Sequence, residues 1–209
     1  MTKRMGSSAC AKLFGHPAIV EREGANHATA VGRAGSILPN VVDAGNRRAQ
    51  DHGLTKPFDV AREMVRVTRP GGRIVMGNWI PNAPTLVAQI LKISSAYSPP
   101  PPEGFISPMT WGIEAHVIER FASAGIPQDN VSFVRDTCTF NFPEAPSALV
   151  DAFRRYYGPT MNAFEAAEKS GRAANLQKEL EDLFNSQNKS SRKGATSIPA
   201  TFLRVTVTV

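Results

Sequence analysis

The chain has 209 residues, a net charge of +6, and 42% hydrophobic and 20% charged residues. This composition is that of one ordinary globular domain, and no apolar run approaches the roughly 20 residues that a membrane-spanning helix needs. The positive residues are scattered, and the densest group, Lys189–Lys193, lies in a polar loop-like stretch. We therefore expect neither a membrane nor a nucleic-acid partner.

The cysteines and histidines indicate no metal centre. Cys10 and Cys138 lie far apart in unrelated contexts, which favours a reduced, cytoplasmic protein. The three histidines before residue 57 have no cysteine or carboxylate at ligand spacing, so we predict no metal site. His116 falls in a predicted helix, where a surface position is favoured over a general base.

The first 57 residues differ in texture from the rest of the chain. They are rich in glycine, alanine, arginine and asparagine and show no sustained apolar period. Short apolar runs such as Ile37–Val42 indicate brief strands at best. We expect residues 1–57 to be irregular or poorly ordered, and residues 58–209 to form the folded domain.

The segment that follows predicts a helix, a turn and a strand. Ala61–Thr68 has the three-four apolar spacing of a helical face, and Pro70 ends that helix. Gly71 and Gly72 permit a tight turn. Arg73–Gly77 is then a short apolar run, typical of a buried parallel strand that is covered on both faces. The sequence thus predicts an α/β fold.

The remaining elements follow from periodicity and from turn residues. Alternation predicts strands at Val131–Phe142, with a switch of face near Arg135, and at Ala200–Val209, which we expect to pair antiparallel. The polar run Asn185–Thr196 is predicted to be mobile. Helices are predicted at Pro84–Ala96 (capped by Thr85 or Asn82), Ile113–Ala124 (ended by Gly125), Pro146–Tyr157 and Met161–Asn185, with a proline-rich connector at Ser98–Gly104.

The turn and strand after the first helix carry a family resemblance. Val67–Gly72 and Arg73–Trp79 resemble the turn and fifth strand of the class I S-adenosylmethionine-dependent methyltransferase fold, in its small-molecule, ubiquinone-biosynthesis-like branch. The order of the later elements also fits, so the resemblance covers roughly Phe58–Val209. It implies a partial Rossmann-like sheet with strands equivalent to the fifth, sixth and seventh. Arg73–Met76 is then expected beside the two C-terminal strands, with helices on both faces.

The resemblance implies S-adenosylmethionine as cofactor, but the family's cofactor-binding residues are hard to find. The family uses a Gly-x-Gly-x-Gly loop after its first strand, which lets the cofactor approach backbone amides. Asp43 and Gly45 are the nearest approach to it, and a surface turn is the favoured interpretation. Phe58–Val60, which in the family opens the fourth strand, runs directly into a helix. We therefore expect the N-terminal cofactor-binding half to be missing or replaced.

Candidate substrate-binding residues follow the predicted fifth strand. Asn78 and Trp79 lie at its carboxyl end, where open α/β sheets bind ligands, although capping and packing roles are favoured alternatives. Trp111 and the pair Tyr156–Tyr157 are candidates for an aromatic lid, with core packing again favoured. No Gly-x-Ser-x-Gly motif is present, and we assign no catalytic residue.

Two classes of function remain. The resemblance implies a methyltransferase acting on a small molecule, truncated and impaired, so enzymatic activity is uncertain. The alternative is a non-catalytic remnant or interaction domain with the C-terminal half of that fold. Because one edge of Arg73–Met76 lacks an obvious partner strand, we also expect self-association, unless Ile37–Val42 pairs there.

Overall fold

The computed structural model describes residues 56–209. The expectations for residues 1–55, including the roles of Asp43, Gly45 and Ile37–Val42, lie outside the described residues. Within residues 56–209 no helix is both long enough and apolar enough to cross a bilayer. The elements are α1 (Pro57–Val67), β1 (Arg73–Trp79), α2 (Leu86–Tyr97), a 3-10 helix (Pro108–Gly112), α3 (Glu114–Ala122), a second 3-10 helix (Gln128–Asn130), β2 (Val131–Phe142), α4 (Pro146–Tyr156), α5 (Gly158–Lys169), α6 (Ala173–Gln187) and β3 (Thr196–Thr208).

Helix α1 begins earlier than its apolar pattern predicts. Pro57 occupies its first turn, a position that suits proline because the first helical amides have no intrahelical acceptor. Phe58–Val60 is therefore helical, which corrects the comparison of these residues with the opening of a strand. The turn after α1 agrees with the prediction, since Gly71 has a φ of +71°.

The three strands form one antiparallel sheet in the order β1-β3-β2. Strand β1 pairs with β3 from Arg73 opposite Thr208 to Trp79 opposite Phe202. Side-chain hydrogen bonds join the start of β2 to the end of β3 and the end of β2 to the start of β3, so these two strands also run antiparallel. The α/β class and the pairing of the C-terminal strands are confirmed.

The prediction that β1 is covered on both faces is wrong. Among the described strands β1 pairs with the antiparallel β3, and the parallel neighbour expected from strands before β1 would lie outside the described residues. Burial alternates along β1: Ile74, Met76 and Asn78 are buried, whereas Val75 and Trp79 are only half-buried. The apolar run misled because an aliphatic or aromatic residue can lie on the less buried face of an antiparallel sheet.

The described chain divides into two compact units. The first, here called the β1 unit, contains residues 56–81, 102–136 and 202–209, with β1, α1 and α3. One face of its sheet packs against these helices and the first 3-10 helix. The buried cluster of this unit comprises Ala61, Met64, Ile74, Met76, Trp111, Val117, Phe121, Ile126, Leu203, Val205 and Val207.

The second, here called the helical unit, contains residues 82–101 and 137–201, with α2, α4, α5 and α6. Helix α2 packs against α5 and α6, and α4 packs against the same two helices. Thr85 precedes α2 as predicted, but its hydroxyl accepts a hydrogen bond from the Thr201 amide instead of capping the helix. The largest fully buried side chains of the helical unit include Phe184, Leu86, Ile90, Leu149, Leu176, Leu180 and Ile198.

One prediction in the helical unit needs correction. The single helix expected over Met161–Asn185 is broken, because Gly171 adopts a φ of +68° and ends α5. The loop after α6, predicted to be mobile, contains hydrogen bonds made by the side chain of Asn188. Its Oδ1 accepts hydrogen bonds from the Ser190 and Ser197 amides, and its Nδ2 donates to the Ala195 carbonyl. The Asn188 side chain thus provides hydrogen-bond partners for three backbone groups, which the polar composition of the loop does not indicate.

Candidate ligand-binding cleft at the end of β1

An open cleft of about 380 Å³ lies at the carboxyl end of β1, wholly within the β1 unit. It is bounded by the residue after β1, the start of α3, one residue of β2 and one of β3. Both apolar and charged side chains line it. The lining residues are Ile80, Gly112, Ile113, Glu114, Ala115, Arg135 and Leu203.

Asn78 borders this cleft. Its side chain lies on the same face of β1 as that of Ile80, two residues later, and it stands opposite Leu203 in the register. Both of those neighbours line the cleft. Asn78 is 6% exposed, and its Nδ2 has no hydrogen-bond partner among the described residues. The amide therefore lies between two lining residues with an unused donor.

Trp79 is separated from Asn78 by the alternation of the strand. Its indole lies on the opposite face of β1, edge-on to Phe202 with ring centroids 6.3 Å apart. Its backbone carbonyl, in contrast, lies against Gly112, one of the lining residues. The two residues predicted together for substrate binding thus point to different faces, and only the Asn78 side chain adjoins the cleft.

One wall of the cleft contains Gly112, the last residue of the 3-10 helix Pro108–Gly112. The Ser107 hydroxyl accepts from the Met109 amide at its start. At its end, Gly112 packs so closely on the Trp79 carbonyl that a Cβ atom would overlap that oxygen. Glycine is required here for close approach, and the wall is held against the end of β1.

Arg120 of α3 contacts two residues of this 3-10 helix. Its Nη2 donates to Thr110 Oγ1 at 2.5 Å, and its guanidinium lies over the Trp111 ring, 4.5 Å from the centroid. The side chain is 2% exposed, and Nη1 has no partner among the described residues. Burial lowers the pKa of the Arg120 guanidinium, while the nearby Glu119 carboxylate opposes that shift.

The sequence contains a signal for Arg120 that helical periodicity alone does not bring out, namely its position in an apolar stripe. Arg120 lies three residues after Val117 and next to Phe121, within the apolar stripe of α3. A charged residue in such a stripe is unusual unless it has a specific partner. Glu114 and Arg135 were missed for another reason, since they are 21 positions apart in the sequence and line the same cleft only in the fold.

The other candidate residues are not among those that line the cleft. Trp111 is 8% exposed and packs edge-on to Phe121, with ring centroids 6.2 Å apart. Tyr156 and Tyr157 belong to the helical unit, where Tyr156 is 66% exposed and Tyr157 packs against a buried aromatic ring. His116 is on the surface of α3, with Nδ1 3.9 Å from Glu119. The favoured packing role matches Trp111 and Tyr157, and the favoured surface role matches His116. The packing role favoured for Tyr156 is wrong, because its side chain is exposed.

The paired glycines before β1 do not form the cofactor-binding loop of the family. The paired glycines Gly71 and Gly72 precede β1, at the end away from the cleft, and they bond to the end of β3. The Gly71 amide donates to the Val209 carbonyl, and the Gly72 carbonyl accepts from the Val209 amide. These backbone groups are therefore committed to the sheet and do not form a loop that leads into a helix N-terminus.

Comparison with known proteins identifies relatives without assigned roles. Two proteins of Mycobacterium tuberculosis strains and one of Mycobacterium bovis, each described as uncharacterized, are 31% identical to this chain over 127 residues. The matched segment covers 59% of this chain and 43% of each relative. No protein-family model matches the chain.

Proposed function

We propose that residues 58–209 are the substrate-side, C-terminal half of a class I methyltransferase-like domain for a small molecule. In this proposal the chain is an impaired member of the S-adenosylmethionine-dependent family, because it lacks a recognisable cofactor-binding half. The protein is proposed to be cytoplasmic. Methyl transfer depends chiefly on alignment of the acceptor with the sulfonium methyl, so the role of this half is to bind and orient the acceptor.

The position of the last strand is the observation that carries the proposal. Strand β3 lies between β1 and β2 and is antiparallel to β1. This arrangement resembles the C-terminal edge of the class I methyltransferase sheet, where the seventh strand lies between the fifth and the sixth. The Pro70–Gly72 turn before β1 resembles the family at the same place. The cleft at the carboxyl end of β1 is where such a sheet binds its ligands.

The absence of a recognisable glycine loop in the sequence determines the expected cofactor affinity. Loss of the backbone donors and of an acidic ribose partner removes several hydrogen bonds, each contributing about 0.5–1.5 kcal/mol and more when charge-assisted. A micromolar site at about −8 kcal/mol would then weaken to millimolar or beyond. The alternative, a non-catalytic remnant, shares this expectation but does not require that its relatives bind the cofactor.

Calorimetry with S-adenosylmethionine tests the proposal on two proteins. The full-length M. tuberculosis relative is expected to bind it with micromolar affinity, and the present chain is expected to show no binding below millimolar concentration. A relative without affinity would contradict the family assignment. Micromolar binding by the present chain would contradict the claim that it has no functional cofactor site.

A further inference from the structure

We propose that the cleft at the end of β1 binds a small molecule with an apolar body and one carboxylate, held by Arg135 and by the amide of Asn78. Only the identification of this molecule as the methyl acceptor rests on the proposed function. The binding site itself follows from the charges, burial and lining of the β1 unit.

Arg135 supplies the positive charge that lines the cleft. It lies in β2, is exposed, and among the described residues forms no ion pair. Glu114, the negatively charged lining residue, lies in the first turn of α3 and is likewise without an ion pair in the described part of the chain. The positive end of the α3 dipole stabilises the charge of Glu114. Arg135 is therefore available to an incoming anion, and its planar fork is suited to a carboxylate.

Asn78 supplies a second, independent indication of a ligand. A buried amide N–H that lacks an acceptor loses its hydrogen bonds to water without compensation. The Asn78 amide is in this condition, between the lining residues Ile80 and Leu203. Asn78 does not itself line the cleft, so a ligand oxygen would provide the missing acceptor once Ile80 or Leu203 shifts aside. A ligand carboxylate could accept hydrogen bonds from both the Asn78 amide and the Arg135 guanidinium.

The size and walls of the cleft define the rest of the ligand. A volume of about 380 Å³ is at the small end of the range of ligand sites, roughly 300–1,000 Å³. Its uncharged lining consists of aliphatic side chains and one glycine, namely Ile80, Ile113, Ala115, Leu203 and Gly112. Such walls fit a branched or cyclic hydrocarbon body better than a polyhydroxylated one.

The test compares acids with their neutral amides. Isovalerate and cyclohexanecarboxylate are titrated against isovaleramide and cyclohexanecarboxamide, without any cofactor. Trp79 and Trp111 adjoin the lining residues Ile80 and Gly112, and they are the only two tryptophans of the chain, so intrinsic fluorescence reports on the cleft. We expect saturable binding of at least one acid, competition between the acids, and at least tenfold weaker binding of the matching amide.

Three variants locate the site. Arg135→Gln is expected to weaken acid binding about tenfold, and Arg155→Gln, which removes an exposed arginine of the helical unit, is expected to leave it unchanged. Asn78→Leu is expected to weaken binding without lowering the midpoint of thermal unfolding, because it removes an unpaired buried donor. No binding of either acid, equal binding of the amides, or wild-type affinity in Arg135→Gln would each overturn the proposal. These outcomes are independent of the cofactor titrations.

Discussion

Replacing Gly112 by alanine is expected to lower the free energy of unfolding by about 3 kcal/mol. The added Cβ would overlap the Trp79 carbonyl oxygen and lie 2.8 Å from the carbonyl carbon and 3.1 Å from the Ile80 Cα. All three atoms belong to the backbone, so no change of rotamer relieves the contact. Urea unfolding followed by tryptophan fluorescence measures the effect, because Trp79 and Trp111 both lie in the β1 unit.

Gly77→Ala is the matched control for this substitution. A Cβ at Gly77 would meet only the Phe202 ring, with its closest approach at 3.3 Å, and a ring can shift slightly. We expect a loss below about 1 kcal/mol. Equal stability losses in the two alanine variants would show that Gly112 is not held against the end of β1. Since Gly112 lines the cleft, its variant should also weaken acid binding.

Phe121→Ala is expected to cost about 3–5 kcal/mol, the range for truncation of a buried phenylalanine. Phe121 is fully buried in the core of the β1 unit and packs edge-on to Trp111. Truncation removes the support of the same tryptophan ring on which the Arg120 guanidinium lies. The expected readouts are a lower urea midpoint and a red-shifted tryptophan emission in the folded state.

The exposed Tyr156 offers the comparison for aromatic truncation. It is 66% exposed, and Tyr156→Ala is expected to change the free energy of unfolding by less than about 0.5 kcal/mol. A Phe121→Ala variant as stable as this one would contradict the packing described for α3. Circular dichroism of both variants checks that the folded states are comparable.

The secondary structure was predictable from the sequence where a local pattern of residues determines it. Strand β2 has the predicted bounds, Val131–Phe142, because β-branched and aromatic residues recur on both sides of the predicted switch of face near Arg135. Gly125 has a φ of +84° just after α3, as a glycine at a helix end suggests. The predicted helix Met161–Asn185 has the wrong bounds because the apolar pattern continues across Gly171. Apolar periodicity alone does not indicate that the backbone turns at that glycine.

The candidate site was predictable only in part, because its residues come from distant segments. Asn78 was recognised from its place at the end of a strand, but its separation from Trp79 required the pleat of β1. Arg135 was noticed only as the point where β2 switches face. Arg135 and Glu114 line the same cleft only in the folded chain, and no local pattern of the sequence encodes that arrangement. The roles of Asp43 and Gly45 stay predictions.

The central claim is that residues 58–209 can serve as the substrate half of a methyltransferase domain. The most direct measurement is S-adenosylmethionine binding by an exchange chimaera, in which the aligned segment of the M. tuberculosis relative is replaced by the corresponding residues of this chain. The folded chimaera is expected to retain the micromolar affinity of its parent for S-adenosylmethionine, whereas the present chain alone is expected to show none. A folded chimaera without affinity, made from a parent that binds, would contradict it.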